Sequence, residues 1–203
     1  FIKTRVKDAN SDGVVLGLSG GIDSAVTLSL SVAALGSDRV TGLIMPYEYT
    51  ESVDLAKHHA EQLNVNTETV SIKQIVESFK SSSSLFSEKL SEGNLHSRIR
   101  MSILYGAGFS SNRLVVGTSN KSELLIGYWT KWGDGGTDFL PIGDLYKSQV
   151  YSLGEELGVP SGILSRKPTA ELWEGQTDEE EFGFTYLELD QVLFNLERFD
   201  SVS

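Results

Sequence analysis

The chain has 203 residues, of which 39% are hydrophobic and 22% charged, and its formal net charge is −11. This composition is ordinary for a globular protein, and the length suffices for one substantial core. The acidic balance argues against a nucleic-acid-binding surface, which usually shows a basic excess. The chain contains no cysteine, which excludes disulfides, thiolate metal ligands and a cysteine nucleophile. No apolar run reaches the ~20 residues that a membrane-spanning helix needs, and no signal-peptide pattern occurs, so we expect a cytoplasmic protein without membrane contact.

Apolar runs of strand length alternate with helical patterns along the chain, which predicts a parallel sheet built by right-handed crossovers. The predicted helices are 1–9, 22–34, 52–63, 73–79, 94–109, 119–127, 144–157 and 186–199, and the predicted strands are 14–18, 40–45, 67–72 and 114–118. The expected fold class is α/β, with a doubly wound parallel sheet that binds ligands outside the carboxyl ends of its strands. We expect residues 1–203 to form a single domain, and because the chain starts at Phe1 we expect the natural protein to extend beyond one or both ends.

Three segments are predicted to lie between regular elements. The serine run 81–84 is predicted to be a mobile surface connection, and the segments 128–138 and 165–176 are predicted to be loops. The acidic run 178–181 is interpreted as the solvated start of a helix, where carboxylates complement the helix dipole.

Residues 13–24, GVVLGLSGGIDS, join an apolar strand, a glycine pair and a helix start. This order directs backbone N–H groups and the positive end of a helix dipole toward the carboxyl end of the strand, where a phosphate can bind. Ser19 and Ser24 can add hydroxyl donors, and Asp23 places a carboxylate where a phosphate-bound Mg²⁺ can use it. These residues leave open a plain strand-to-helix turn, in which Ser19 caps the helix and Asp23 complements its dipole.

The glycine loop matches neither a G-x-x-x-x-G-K-[ST] nor a G-x-G-x-x-G motif. The run SGGIDS, 19–24, instead resembles the pyrophosphate-binding loop of the N-type ATP pyrophosphatases, which cleave ATP between the α and β phosphates to adenylate a carbonyl oxygen. NAD, GMP and asparagine synthetases share this loop. The resemblance favours the phosphate site over the plain turn and implies the adenine nucleotide alpha-hydrolase-like version of the fold.

Three further runs narrow the resemblance to one family. They read NLHSRIRM (94–101), GTSNKSELLIGYWTKWGDGGTDFLPIGDLYKSQVY (117–151) and KPTAELWEGQTDEEEFG (167–183). All three look like NAD synthetase, and the spacing within the third resembles archaeal-type members. This family makes NAD⁺ by adenylating the nicotinate carboxylate of deamido-NAD⁺ with ATP and Mg²⁺, after which ammonia displaces AMP. The resemblance thus implies a ligase that forms a C–N bond and works as a homodimer.

The resemblance assigns residues to ATP and to Mg²⁺. Two carboxylates, Asp23 and Glu123, are implied as Mg²⁺ ligands, which suits an ion that prefers oxygen donors. The alternative for Glu123 is a carboxylate that complements the helix dipole in the first turn of a helix. Lys147 beside the α-phosphate would stabilise charge in both chemical steps, so Asp23, Glu123 and Lys147 are the implied catalytic residues. The implied ATP-binding residues are Gly17, Leu18, Ser19, Gly20, Gly21, Ile22, Asp23, Ser24, Thr118, Lys147 and Thr169.

The resemblance assigns Arg98, Lys131 and Asp138 to deamido-NAD⁺. Arg98 and Arg100 are two positions apart on a helix and face different ways, so only one is expected to point into a site, and the motif selects Arg98. The loop 128–138 contains three glycines and is expected to close over the dinucleotide. Family members usually continue into a segment with a His-Lys pair that touches deamido-NAD⁺, and nothing matching it occurs before Ser203.

Two other functions remain compatible with the chain. One is a different ATP pyrophosphatase, such as a GMP-synthetase-like amidating enzyme, and the other is a sensor that binds ATP without chemistry. The sensor is disfavoured because both implied Mg²⁺ carboxylates are present. The lack of cysteine further predicts free ammonia as the nitrogen source and no glutaminase domain.

Overall fold

The computed structural model describes residues 1–86, 88–169 and 177–200. The strands are β1 (Gly13–Gly17), β2 (Val40–Ile44), β3 (Asn66–Thr69) and β4 (Arg113–Val116). The helices are α1 (Ile2–Asp8), α2 (Ile22–Leu35), α3 (Glu51–Gln62), α4 (Lys73–Ser82), α5 (Lys89–Ser110), α6 (Lys121–Ile126), α7 (Lys147–Glu156), α8 (Ser161–Leu164), α9 (Asp178–Phe182) and α10 (Tyr186–Asp200).

The strands form one parallel sheet in the order β3-β2-β1-β4. The chain runs outward from β1 to β3 and then returns to the other side of β1, so the strand order reverses between β1 and β4. In open α/β sheets, ligands bind at the carboxyl ends of the strands beside such a reversal. The topology therefore predicts a site beside the glycine turn that follows β1.

Both faces of the sheet are covered by helices, which confirms the doubly wound fold class. Val14 and Leu16 of β1 pack into a cluster with Leu28 of α2, on one face of the sheet. Val15 packs with Ile99 of α5 on the opposite face. Because successive strand residues point to opposite faces, a strand buried on both sides must be apolar throughout, as β1 is.

The predicted strands and helices all occur, with shifts at several ends. β3 ends at Thr69, three residues early, and its four residues are exposed at the sheet edge. α5 begins five residues early, at Lys89, and α4 continues through Ser82, so Ser81 and Ser82 of the serine run are α-helical. α7 begins at Lys147 and not at position 144, because Leu145 is held in a turn by a hydrogen bond from its N–H to the Ile142 carbonyl. In the described part of the chain, no helix combines the length and the apolar character that a membrane crossing requires.

Candidate active site

A cavity of about 1140 Å³ lies at the carboxyl ends of β1, β2 and β4. Small-molecule sites usually measure about 300–1,000 Å³, so this one has room for a nucleotide and a second substrate. Its wall includes Thr118, which follows β4, and Thr169, which follows α8. Most of the residues assigned to ATP by resemblance line it, namely Gly17, Leu18, Ser19, Gly21, Ile22, Asp23, Ser24, Thr118, Lys147 and Thr169.

The turn between β1 and α2 requires glycine at Gly20. Its φ of +77° is a left-handed conformation that side chains disfavour, and an added Cβ would lie 2.2 Å from the Ser52 carbonyl oxygen. The Gly21 N–H donates to Ser19 Oγ at 3.2 Å, and the Ser24 hydroxyl donates to the Gly21 carbonyl at 3.0 Å. These bonds hold the turn in a compact form beside the cavity.

The start of α2 has the chemistry of an anion site. Gly21 precedes the helix without a side-chain cap, and Ile22, Asp23 and Ser24 line the cavity. The first N–H groups of a helix have no partner within the helix, and the dipole of a 14-residue helix adds to their positive potential. The predicted strand-glycine-helix arrangement is present, and it can hold a phosphate without a basic side chain.

Lys147 joins the two predicted metal ligands at the centre of this wall. Its Nζ lies 2.6 Å from Asp23 Oδ2 and 3.1 Å from Glu123 Oε1. Asn120 adds a further link, because its Nδ2 donates to Asp23 Oδ1 at 3.0 Å while its Oδ1 accepts the Glu123 N–H at 3.0 Å. The ammonium also lies 4.7 Å from the centre of the Tyr186 ring, in a cation–π contact. Residues from α2, α6, α7 and α10 thus meet at one charged centre.

The charges at this centre depend on each other. Burial raises the pKa of Glu123 to about 7, although the neighbouring Lys147 ammonium opposes the rise. Burial also acts against the charge of Lys147, whose side chain is 3% exposed, yet the carboxylates of Asp23 and Glu123 hold its pKa above the ordinary value. The two carboxylates therefore stabilise the buried Lys147 cation, while burial favours the protonated form of Glu123.

The donor set at this centre fits Mg²⁺ as a nucleotide-bound ion. Asp23 and Glu123 offer carboxylate oxygens, and their side chains are 20% and 14% exposed at the cavity. Mg²⁺ commonly binds to one or two carboxylates together with substrate phosphates and water. Two carboxylates beside the start of α2, which can hold a phosphate, are therefore sufficient. Within residues 1–86, 88–169 and 177–200, no group of three or more His, Cys, Asp or Glu side chains is placed to bind a metal ion. The remaining ligands would have to come from the nucleotide and water.

The acidic run 178–181 is not simply solvated, which corrects the sequence-based interpretation. It does begin a helix, α9, but Asp178 is buried and lines the cavity. Asp178 Oδ2 accepts a hydrogen bond from the Tyr186 hydroxyl at 3.0 Å, and its Oδ1 lies 3.2 Å from the Tyr128 hydroxyl. Burial raises the pKa of this carboxyl group. Residues 170–176 of the predicted loop 165–176 lie outside the described residues.

The three residues assigned to deamido-NAD⁺ lie outside the cavity wall. Arg98 Nε donates to the Lys131 carbonyl at 3.1 Å on the exposed side of α5. Asp138 accepts hydrogen bonds from the Val115 N–H at 2.7 Å and from the Tyr105 hydroxyl at 3.2 Å. None of the three assigned side chains is among the residues that line the cavity.

Arg100, which the motif did not select in the sequence analysis, does line the cavity. Its Nε donates to the Met45 carbonyl at 3.0 Å. The helical spacing correctly separates Arg98 from Arg100, but of these two it is Arg100 that lines the cavity. The contact of Arg98 with deamido-NAD⁺ stays a prediction.

The loop 128–138 is tied to α5 at several points. The Asp134 carboxylate accepts hydrogen bonds from the Ser97 hydroxyl at 2.6 Å and from the Thr130 N–H at 3.0 Å, and the Thr130 hydroxyl donates to Asn94 Oδ1 at 2.8 Å. Trp129 lines the cavity, whereas Trp132 is 74% exposed and does not. These bonds fix the base of the loop, and its closure over a substrate stays a prediction.

Comparison with known proteins assigns the chain to a family. A family model described as NAD synthase matches residues 1–202. The chain belongs to the NAD synthase family. An NH(3)-dependent NAD(+) synthetase of Archaeoglobus fulgidus is 52% identical over 201 residues, which are 98% of this chain and 81% of the relative. The resemblance inferred from SGGIDS and the three longer runs is thereby confirmed, and many of the similar curated relatives are archaeal.

Solved structures of NAD synthases share the fold. An NH3-dependent NAD synthetase of Campylobacter jejuni has a TM-score of 0.84 and 38% identity, over 99% of this chain and 80% of that one. An NMN synthetase of Francisella tularensis has a TM-score of 0.90 and 42% identity, over 96% of this chain and 82% of that one. The sheet and its helices are therefore those of an NAD synthase, as predicted.

Several residues at this NAD synthase centre escaped the sequence analysis. Asn120 was detectable, because Asn followed three positions later by Glu123 is a capping-box pattern at a helix start. Asp178, Tyr186 and Asp190 carry no such local signal, since each also has a partner 50 or more positions away, namely Tyr128, Glu123 and Ser122 respectively. Only the packing of α10 against α6 and α7, and of Asp178 against Tyr128 and Tyr186, reveals them.

Proposed function

We propose that the chain catalyses ammonia-dependent synthesis of NAD⁺ from deamido-NAD⁺ and ATP. The observation that carries the proposal is the contact of Lys147 with both Asp23 and Glu123 beside the glycine turn, inside a cavity large enough for two substrates. Membership of the NAD synthase family, whose members use ATP as a substrate, supports the same conclusion.

The first step joins the two substrates. An oxygen of the nicotinate carboxylate attacks the α-phosphorus of ATP, the bond to the β-phosphate oxygen breaks, and pyrophosphate leaves as an acyl-adenylate forms. The N–H groups at the start of α2 bind the departing phosphates, and the Lys147 ammonium stabilises the negative charge that develops beside them. Mg²⁺ bound to Asp23 and Glu123 would neutralise phosphate charge.

The second step forms the C–N bond. The nitrogen of ammonia attacks the carbonyl carbon of the acyl-adenylate, AMP leaves with the bonding electrons of the C–O bond, and one proton is lost from nitrogen. The buried Lys147 cation can again stabilise the phosphate of the leaving AMP. Exclusion of water from the cavity would protect the acyl-adenylate from hydrolysis.

Nicotinate mononucleotide is the second candidate for the acid substrate. The match to an NMN synthetase structure with a TM-score of 0.90 favours it. So does the position of Arg98, Lys131 and Asp138 outside the cavity, because a mononucleotide is smaller than the dinucleotide to which those residues are assigned.

The test compares acid substrates under identical conditions. Purified chain is supplied with ATP, Mg²⁺ and ammonium chloride, and pyrophosphate release and amide product are measured with deamido-NAD⁺, nicotinate mononucleotide, xanthosine monophosphate or aspartate. We expect the highest kcat/KM with deamido-NAD⁺. A higher value with the mononucleotide would replace the first candidate by the second, and turnover only with xanthosine monophosphate or aspartate would refute both.

The proposal also includes a homodimer that acts in the cytoplasm. Large apolar side chains, among them Tyr105 and Phe109 of α5 and Trp132, are exposed on the face of the molecule that carries Arg98 and Lys131. A second copy covering this face would bury them. Light scattering after size-exclusion chromatography gives the mass directly, and a monomer at micromolar concentration would contradict the dimer.

A further inference from the structure

The start of α7 sets the position of Lys147, the first residue of that helix. Gln149 of the same helix accepts the Tyr146 N–H at 2.9 Å, but the N–H groups of Lys147 and Ser148 bond to side chains outside α7, and the first turn contains no acidic residue. The N–H groups of a helix start need partners when they are buried, and Lys147 is 2% exposed. Partners for these groups come from two other helices.

Asp190 of α10 binds the start of α7 from another part of the chain. Its Oδ2 accepts the Ser148 N–H at 2.8 Å, and its Oδ1 accepts the hydroxyl of Ser122. Ser122 Oγ in turn accepts the Lys147 N–H at 2.9 Å. Asp190 is 5% exposed and Ser122 is fully buried, so these hydrogen bonds are shielded from water.

The same helix contacts the charged centre at a second point. Tyr186 lies one turn before Asp190 on α10, and its ring lies beneath the Lys147 ammonium at 4.7 Å. Further along, Glu197 accepts hydrogen bonds from the Tyr146 hydroxyl at 2.6 Å and from Lys121 Nζ at 2.7 Å. α10 therefore contacts the first residues of both α6 and α7, the helices that carry Glu123 and Lys147.

We propose that Asp190 is a positioning residue for Lys147: through Ser122 and Ser148 it fixes the first turn of α7, and so the location of the ammonium between Asp23 and Glu123. Asp190 does not line the cavity and touches no substrate in this assignment. The inference rests on the proposed role of Lys147 in stabilising phosphate charge. A misplacement of about 1 Å in such a group can cost ~10² in rate, so a residue behind the site can control turnover.

A double-mutant cycle tests whether Asp190 acts through Lys147. The steady-state kcat and the KM for ATP are measured for wild type, Asp190→Ala, Lys147→Ala and the double variant, at a temperature where circular dichroism shows each to be folded. Gln191→Ala is the matched control, because Gln191 is the next residue of α10 and its side chain is exposed. If Asp190→Ala does not fold, Ser122→Ala and Asp190→Asn replace it in the double-mutant cycle.

We expect Asp190→Ala to lower kcat by about 10-fold to 100-fold while KM for ATP changes by less than about threefold. In the Lys147→Ala background the same change should lower kcat by less than about twofold, because the group it positions is already gone. Ser122→Ala should follow Asp190→Ala with a smaller loss, and Gln191→Ala should match wild type.

An equal loss in both backgrounds would overturn the inference, since a general structural effect is additive with the loss of Lys147. Unchanged kcat in both Asp190→Ala and Ser122→Ala, beside a strongly impaired Lys147→Ala, would overturn it while leaving the proposed function intact. Undiminished turnover in Lys147→Ala would overturn both the role of Lys147 and the role of Asp190.

Discussion

His96 makes the stability of the protein depend on pH in a way that can be measured. Its side chain is 3% exposed, and its ring stacks on Tyr47 with a centroid distance of 4.6 Å. Among the residues that the structure describes, neither ring nitrogen has a hydrogen-bond partner. Burial, reinforced by the nearby Arg100 cation, lowers the pKa of His96 from 6.5 to about 4. The opposing carboxylate of Glu92, 3.8 Å from Nε2, is too far away to reverse this shift.

The sign and size of the effect follow from proton linkage. Between pH 6.5 and about pH 4, His96 binds a proton in the unfolded chain but not in the folded protein. The free energy of unfolding therefore falls as the pH falls through this window. The full difference between the two pKa values corresponds to about 3 kcal/mol, of which about 2 kcal/mol should be lost between pH 7 and pH 5.

The perturbation is His96→Phe, which keeps an aromatic ring against Tyr47 and removes the titrating group. Urea unfolding at pH 7, 6 and 5 gives the free energy of unfolding of each protein. Only the difference between variant and wild type is interpreted, because buried carboxyl groups with raised pKa values, such as those of Asp178 and Glu123, change stability in the opposite direction. As the pH falls from 7 to 5, we expect the free energy of unfolding of the variant to rise by about 2 kcal/mol relative to that of wild type.

The control is Leu95→Ala, which truncates a buried, non-titrating neighbour on α5. It should lower stability by about 2–5 kcal/mol at every pH. If wild type and His96→Phe lost stability in parallel, with the difference changing by less than about 0.5 kcal/mol, His96 would not be a buried neutral group and the reasoning would be refuted.

Three further predictions concern the reaction. Asp23→Asn and Glu123→Gln should each lower turnover by roughly 10² or more at saturating Mg²⁺, measured as pyrophosphate release, and near-normal turnover would remove that carboxylate from the site. Ammonium should support NAD⁺ formation by the purified 203-residue chain and glutamine should not, because the chain has no cysteine nucleophile; glutamine-driven synthesis free of contaminating glutaminase would contradict this. Lys131→Ala and Asp138→Ala should weaken deamido-NAD⁺ binding more than ATP binding, and raise the ratio of AMP released to NAD⁺ formed; unchanged affinities with a ratio of one would exclude the loop from the site.

The local patterns of the sequence determined the elements of the fold and the family. Three features are local: apolar runs of strand length, helical periodicity and the break at Gly20-Gly21. Each depends on residues only a few positions apart, so the sequence pattern alone predicts the elements. The motifs in turn identified Asp23, Glu123 and Lys147, which the structure brings together although Lys147 and Asp23 are 124 positions apart. The motif predicted these residues by resemblance, but not the contact that joins them.

Only the tertiary structure decided what surrounds these residues. Asp178 belongs to an acidic run that is typical of a solvated helix start, yet packing of α9 against Tyr128 and Tyr186 buries it. Helical spacing separates Arg98 from Arg100, but the position of α5 on the sheet determines that Arg100 lines the cavity. Asp190 caps α7 from a different helix, so no local pattern could assign it. In each case burial and the choice of partner depend on how the helices dock, which a periodicity along the chain does not specify.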